Sequence, residues 1–254
     1  MVCYNFFMKI LIATKNRGKF NEIAGVLRDV SLKDGEGVEL GFLGDLKVED
    51  SDFVEDGVTH EENARKKAKY YFERVLTGEV LMGDGSGSDG DWSGSREVRG
   101  NSGGERKIPQ SFDFVIGEDS GIYVDALAGE MGVQTRRWGA GENATDKKWL
   151  EYFMKRMGSL APGDSDRGAK FVCNACLIGN LDGELIEKCF EGETYGEITH
   201  EIGAELLPGL PLSSVFLPDG YDKVYAALST ADKNKISHRG QAIGKVRDFL
   251  MNFK

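Results

Sequence analysis

A short basic segment, residues 14–19 (TKNRGK), lies between an apolar run and an amphipathic one. The alternation predicts a strand, a loop and then a helix, and the free N–H groups and dipole at a helix start attract phosphate. Lys15, Arg17 and Lys19 add positive charge. The segment is not a Walker A loop, because it lacks the first glycine and the Gly-Lys-Ser/Thr ending. It predicts a phosphate site, although a basic turn in solvent would have the same composition.

An acidic segment, residues 117–121 (GEDSG), follows another apolar run. We expect a sharp turn at the end of a strand here. Neighbouring carboxylates such as Glu118 and Asp119 suit coordination of a hard metal ion or activation of water, but an acidic turn in solvent would look the same. Residues 49–56 hold five more carboxylates. This second cluster could supply another Mg²⁺ ligand or could simply be a charged loop.

The segment DKNKISHRGQA near the C-terminus precedes a run with helical periodicity. The segment contains Lys233, His238 and Arg239, and His238 with Arg239 could contact a base carbonyl and a phosphate. Alternatively, the serine caps a helix and its neighbours lie in solvent. The other histidines, His60 and His200, have no such neighbours, and we assign them no role.

The remaining chain predicts an α/β fold. Helices are expected over about residues 59–76, with Thr59 as a possible N-cap, over 143–158 and over 237–250. The second of these helices is expected to bury an apolar stripe of Trp149, Leu150, Phe153 and Met157. Strands are expected over 169–179 and 184–198, close enough to form a hairpin, which favours a mixed sheet over a purely parallel one.

Residues 78–111 differ from the rest of the chain because they are rich in glycine, serine and charge. A segment with so little apolar surface cannot offset its ordering entropy by burial, so we expect a disordered insertion within one domain spanning residues 8–254. Trp92 and the basic residues around it could instead dock a partner.

Composition excludes several classes of function. A net charge of −10 argues against sequence-independent binding of a nucleic acid polymer, which needs basic surface. No apolar run is long enough for a membrane span, so a cytoplasmic protein is expected.

The cysteines predict buried strand residues and not a metal or redox site. Four cysteines are too few for a disulfide scaffold at this length. Cys173 and Cys176 form a C-x-x-C inside a predicted strand, where residues three apart point to opposite faces.

Taken in order, five segments resemble the inosine triphosphate pyrophosphatase family, which clears non-standard purine triphosphates such as ITP, dITP and XTP. They are IATKNRGKFNEI, EDGVTHEENARKKA, IGEDSGIYVDALAGEMGVQTRRWGAGENATDKKWL, FEGETYGEIT and DKNKISHRGQAI. The resemblance implies a nucleoside triphosphate pyrophosphatase, and so a hydrolase. It also implies an elongated mixed β-sheet with flanking helices, two lobes around a nucleotide cleft, and a homodimer.

The resemblance also implies roles for individual residues. Catalysis falls to Asp119, which would orient or deprotonate water beside Mg²⁺, with Glu55 as our choice for a second metal ligand. The implied phosphate contacts are Thr14, Asn16, Lys19 and Lys67, and the further nucleotide contacts are Ser120, Lys233, His238 and Arg239.

One segment departs from the family pattern. Where the family carries a glycine-rich Phe-Gly-Tyr-Asp-Pro stretch, residues 207–216 of this chain, the departing segment, read LPGLPLSSVF. By the resemblance, the aromatic ring that would stack on the base and the carboxylate that would hydrogen-bond it are replaced by Leu210 and Ser213. The alternatives are therefore a pyrophosphatase that prefers a modified or pyrimidine nucleotide, or a degenerate nucleotide-binding protein whose insertion docks a partner. Asp119, Lys19 and residues 237–239 disfavour the second alternative.

Overall fold

The computed structural model describes residues 7–28, 30, 32, 37–46, 53–77, 96–98, 106–108, 112–141, 143–163, 165–181 and 183–252. The strands are Phe7–Ile12 (β1), Gly37–Phe42 (β2), Arg96–Val98 (β3), Arg106–Ile108 (β4), Phe114–Val124 (β5), Gly168–Leu181 (β6), Glu184–Ile198 (β7) and Phe216–Pro218 (β8). The α-helices are Arg17–Leu27 (α1), His60–Thr77 (α2), Asp146–Leu160 (α3), Thr230–Ile236 (α4) and His238–Asn252 (α5). Within the described ranges no helix combines the length and apolarity needed to cross a bilayer.

Six strands form one mixed sheet in the order β2-β1-β5-β6-β7-β8. The strand β1 runs parallel to both β2 and β5, and the pairs from β5 to β8 are antiparallel. The predicted hairpin is confirmed, because Leu181 of β6 pairs with Glu184 of β7. The expected α/β fold with a mixed sheet and flanking helices is also confirmed.

Helices cover the sheet on both faces. Over the half near β1, α1 and α5 pack on one face, with Ile23, Leu27, Ile243 and Val246 fully buried. On the other face α2 approaches through Ala64 and Ala68. A separate apolar core lies at the far end of β5 and β6, where α3 buries the predicted stripe of Trp149, Leu150, Phe153 and Met157. The two halves leave a cleft between them.

The prediction of a sharp turn at residues 117–121 is wrong. The strand β5 continues through this segment and pairs with β6 from Phe114 to Val124. Neighbouring side chains of a strand point to opposite faces of the sheet, so the carboxylates of Glu118 and Asp119 diverge. Gly117 lies under α2, where a Cβ atom would collide with the backbone of Ala64 and Ala68. The glycines of this segment therefore serve close packing and not a turn.

Cys173 and Cys176 are buried residues of β6, as predicted, but the sequence did not predict a disulfide. Cys176 forms a disulfide with Cys189, which lies directly opposite it across β6 and β7 with a Cα–Cα distance of 4.0 Å. Cys173 points to the other face of the sheet and is a free, buried thiol. The two thiols of the C-x-x-C thus do not converge, as expected, but strand register supplies a partner that sequence spacing did not indicate.

Most of the insertion predicted at residues 78–111, including Trp92, lies outside the described residues. Its described parts, β3 and β4, form a two-stranded antiparallel ladder separate from the main sheet.

We expect replacement of residues 78–111 by a short Gly/Ser bridge to leave thermal stability and turnover nearly unchanged, since the segment offers little apolar surface to the core. Thermal unfolding and steady-state kinetics test this, and a large loss of either would mean that the segment packs on the domain or closes over the cleft.

Candidate active site

The loop between β1 and α1 forms one wall of the cleft. Asn16 caps α1, because its Oδ1 accepts the Lys19 backbone N–H at 3.1 Å. Its Nδ2 donates to the carbonyl of Gly209 at 3.0 Å, which ties this loop to the segment that departs from the family pattern. Arg17 was expected to add positive charge to the phosphate site, but it does not line the cleft. Its guanidinium instead pairs with Asp45 at 2.5 Å and stacks on the ring of Phe42.

Asp119 lies in the cleft and is held from α2. Its Oδ2 lies 3.0 Å from Nδ1 of His60 and accepts from Nδ2 of Asn63 at 3.1 Å. Burial opposes ionisation, but the hydrogen bond from His60 and the charge of Lys19 hold the pKa of Asp119 below its ordinary value. Asp119 is therefore an ionised carboxylate at neutral pH, and His60 is a site residue that sequence reasoning missed.

Glu118 points to the opposite face and enters a buried network of charges. It accepts Lys19 Nζ at 2.8 Å, and its Oε1 accepts Nε and Nη2 of Arg239 at 3.1 and 3.0 Å. Arg239 also pairs with Glu22, whose other oxygen lies 2.5 Å from Lys233 Nζ. Burial opposes the charge of Glu118, but Arg239 and Lys19 hold its pKa well below the ordinary value.

Glu55 reaches the cleft from the segment before α2. Lys67 pairs with its carboxylate and also donates to the backbone carbonyl of Glu118 at 3.0 Å. Arg137 donates to the backbone carbonyl of Glu55 at 2.9 Å. These contacts fix Glu55 beside the strand that carries Asp119.

His238 is buried in an aromatic stack. Its ring lies 4.6 Å from that of Phe171, with an angle of 8° between the planes, and Tyr225 packs against both. Burial and the neighbouring Arg239 hold the pKa of His238 well below its ordinary value, so its ring is neutral at pH 7. The expected N-cap is present, since Ser237 Oγ accepts the N–H of Gly240 at 3.0 Å. The alternative that its neighbours lie in solvent is wrong.

One cleft of about 790 Å³ brings the predicted residues together. Its lining includes Thr14, Asn16, Lys19, Glu55, Lys67, Asp119, Ser120, Lys233, His238 and Arg239, together with Leu210 and Ser213 of the departing segment. Sequence reasoning missed Glu22, Asn63 and Arg137 as well as His60. Helical spacing gave a signal for two of them, because Glu22 follows Lys19 by three residues on α1 and Asn63 precedes Lys67 by four on α2.

The donor set fits a magnesium ion held jointly by protein and substrate. No group of three or more His, Cys, Asp or Glu side chains within the described ranges forms a metal cage. Magnesium in nucleotide sites is commonly held by one or two carboxylates plus substrate phosphates. Asp119 and Glu55 supply two carboxylates to the same cleft, next to the lysines.

The match to known proteins spans nearly all of the chain. The model of the Ham1 family matches residues 10–88 and 102–249. The dITP/XTP pyrophosphatase of Aquifex aeolicus is 32% identical over 252 residues, which cover 96% of this chain and 98% of that protein. The dITP/XTP pyrophosphatase of Clostridium perfringens is 28% identical, with coverage of 95% and 97%.

Solved structures agree with this assignment. A HAM1 protein from Coxiella burnetii superposes with a TM-score of 0.64 at 25% identity, covering 96% of this chain and 98% of that one. The Ham1 protein of Staphylococcus aureus gives a TM-score of 0.63 at 27% identity, with coverage of 97% and 100%. This chain belongs to the Ham1 family.

Proposed function

We propose that this protein is a magnesium-dependent pyrophosphatase that hydrolyses non-standard purine nucleoside triphosphates (dITP, ITP and XTP) to nucleoside monophosphate and pyrophosphate. The observation that carries the proposal is the position of Asp119, an ionised carboxylate in the same cleft as the start of α1, Lys19 and Lys67. The relatives named dITP/XTP pyrophosphatase, which match almost the whole chain, support the same activity.

The triphosphate would bind along the wall formed by α1 and α2. The start of α1 is capped by Asn16, and its dipole favours the negative charge of phosphate. Lys19 and Lys67 reach the cleft from two different helices and neutralise phosphate charge from two sides. In the structure both lysines contact carboxylates or carbonyls of the site, so they are already positioned before a ligand arrives.

Asp119 would act on the water that attacks the α-phosphorus. A bond forms between the water oxygen and that phosphorus, and the bond from phosphorus to the α,β-bridging oxygen breaks. Its electron pair leaves with pyrophosphate, and the water proton passes to Asp119. Mg²⁺, held by Asp119 and Glu55, would supply charge neutralisation at the phosphate oxygens. Lys19 and Lys67 stabilise the same developing charge without moving a proton.

The base and sugar would occupy the end of the cleft lined by Ser120, Lys233, His238 and Arg239. His238 is neutral, so one ring nitrogen can accept and the other can donate. Lys233 and Arg239 are both bound to Glu22, and Arg239 also donates to Ser120 Oγ at 3.0 Å. This end of the cleft is therefore a preorganised polar surface.

A panel of triphosphates tests the proposed function. Pyrophosphate release is measured with Mg²⁺ for ITP, dITP, XTP, the four ordinary ribonucleotides and their deoxy forms. Specificity constants that are highest for ITP, dITP and XTP support the proposal. Preference for a pyrimidine or modified nucleotide would favour the first alternative, and no hydrolysis of any member would favour a degenerate binding protein.

The departing segment predicts reduced selectivity for the base. Leu210 and Ser213 line the cleft. Leu210 cannot stack on the base as an aromatic ring would, and Ser213 cannot accept hydrogen bonds from the base as a carboxylate would. We expect hydrolysis of ITP and XTP with a weaker preference over ATP and GTP, because each lost contact costs roughly 1 to 3 kcal/mol of discrimination, or about one to two powers of ten.

The double variant Leu210→Phe with Ser213→Asp is expected to sharpen that preference, measured as a ratio of specificity constants for ITP and ATP. An exposed pair such as Leu185→Phe with Ser159→Asp is a control that adds the same groups away from the cleft. Discrimination of many thousandfold by the natural protein would contradict this expectation, since other residues would then select the base.

We also propose that the protein acts as a cytoplasmic homodimer. The proposed substrates belong to the free nucleotide pool, which supports this location, and the family resemblance supports the dimer. Light scattering of the purified protein tests its mass in solution.

A further inference from the structure

His60 and Asn63 bring two hydrogen-bond donors to one oxygen of Asp119. They lie three residues apart at the start of α2, so both side chains point the same way. Nδ1 of His60 lies 3.0 Å from Oδ2, and Nδ2 of Asn63 donates to the same atom at 3.1 Å. His60 is only 4% exposed, so this contact is shielded from water.

The surroundings of His60 define which ring nitrogen carries the proton. Nε2 is buried and has no hydrogen-bond partner among the described residues. The ring meets Tyr123 edge-on, with 6.0 Å between centroids and 88° between planes. A proton on Nε2 would be a buried donor with no acceptor, which is costly. The proton therefore belongs on Nδ1, where the carboxylate of Asp119 accepts it.

Because both of these hydrogen bonds end on Oδ2, Oδ1 is the oxygen of Asp119 that remains to contact a ligand in the cleft. We propose that His60 is a positioning residue for the reaction: its Nδ1–H fixes the rotation of the Asp119 carboxylate, so that Oδ1 faces the water and the metal. This inference rests on the proposed function. Neither the type of residue 60 nor its spacing from Asp119 indicated the role.

His60 can be tested more cleanly than Asn63. The Oδ1 atom of Asn63 also accepts the backbone N–H of Gly57 at 2.7 Å, so a variant at Asn63 would disturb the segment that carries Glu55 as well. His60 approaches Asp119 from the first turn of α2 and packs beside Tyr123. A substitution there acts mainly on the carboxylate.

Three variants separate hydrogen bonding from packing. His60→Asn keeps a donor near the position of Nδ1, His60→Gln moves it towards the position of Nε2, and His60→Leu removes it. We expect His60→Leu and His60→Gln to lower kcat for ITP about 10- to 100-fold with KM within about threefold, as for other residues that orient metal ligands. His60→Asn should recover most of that loss. His200→Leu, at an exposed histidine outside the cleft, should have no effect.

A binding measurement provides a readout that does not depend on turnover. Calorimetry of Mg²⁺ binding to protein saturated with α,β-methylene-ITP, whose bridge cannot be hydrolysed, should show about tenfold weaker affinity in His60→Leu and near-normal affinity in His60→Asn. Thermal unfolding of each variant distinguishes a misplaced carboxylate from a damaged fold.

The proposal is overturned if His60→Leu keeps kcat and Mg²⁺ affinity within twofold of the natural protein. It is also overturned if His60→Asn loses as much as His60→Leu, because packing and not the donor would then be responsible. Absence of pyrophosphate release by the natural protein would instead contradict the proposed function, and the two failures can thus be distinguished.

Discussion

Replacing Asp119 by asparagine should remove most of the pyrophosphatase activity and leave the fold intact. The change deletes the negative charge at the proposed water and metal, and general base catalysis alone contributes about 10²- to 10⁴-fold. The asparagine carbonyl can still accept from His60 and Asn63, so no buried donor loses its partner. We expect kcat for ITP to fall by about two to four powers of ten.

Steady-state kinetics and thermal unfolding of Asp119→Asn check this expectation together. The matched control is Asp125→Asn, which makes the same change at an exposed aspartate that follows β5 directly and lies outside the cleft. Unchanged turnover in Asp119→Asn would remove this residue from the mechanism. Loss of activity in both variants would indicate a general effect of the substitution.

The largest effect on stability is expected at Arg239. Arg239 is 3% exposed, and its guanidinium pairs with two buried carboxylates, those of Glu22 and Glu118. Arg239→Gln would leave these carboxylates with one fewer cation in a site that water does not reach. Removal of one partner from a buried ion pair costs about 3 to 5 kcal/mol. At roughly 2 to 4 °C per kcal/mol for a chain of this size, Tm should fall by about 6 to 20 °C.

Arg247→Gln is the matched control, because Arg247 lies on the same helix but pairs with Asp248 at the surface. An exposed pair contributes about 0 to 1 kcal/mol, so its Tm should change by a few degrees at most. Chemical denaturation of both variants measures the free energies of unfolding. Equal and small losses would contradict the view that Arg239 holds the buried charges of the cleft together.

Periodicity predicted the main elements because their faces are strongly apolar. The stripe of α3 and the hairpin of β6 and β7 are examples, and both follow from local pattern alone. The pattern failed at residues 117–121, where glycine and acidic residues are typical of a turn. Packing against α2 and pairing with β6 override that local preference, and no sequence pattern encodes those contacts.

The site residues that the family resemblance implied all line one cleft, but their partners were not predictable. The sequence treats Glu118 and Asp119 as similar neighbours, whereas the strand sends one to Arg239 and Lys19 and the other to His60. That division depends on which face of β5 packs against α2 and which against α5. This packing arises only in the folded chain. The role of His60 was missed for the same reason.

Hydrolysis of ITP in ¹⁸O-labelled water, with Mg²⁺ present, tests the central claim most directly. The products are separated and their masses are measured. Attack on the α-phosphorus predicts one IMP and one pyrophosphate per ITP consumed, with the label in IMP. Label in pyrophosphate would mean attack on the β-phosphorus, and release of IDP with inorganic phosphate would mean cleavage at the wrong bond. Either result would contradict the proposed pyrophosphatase.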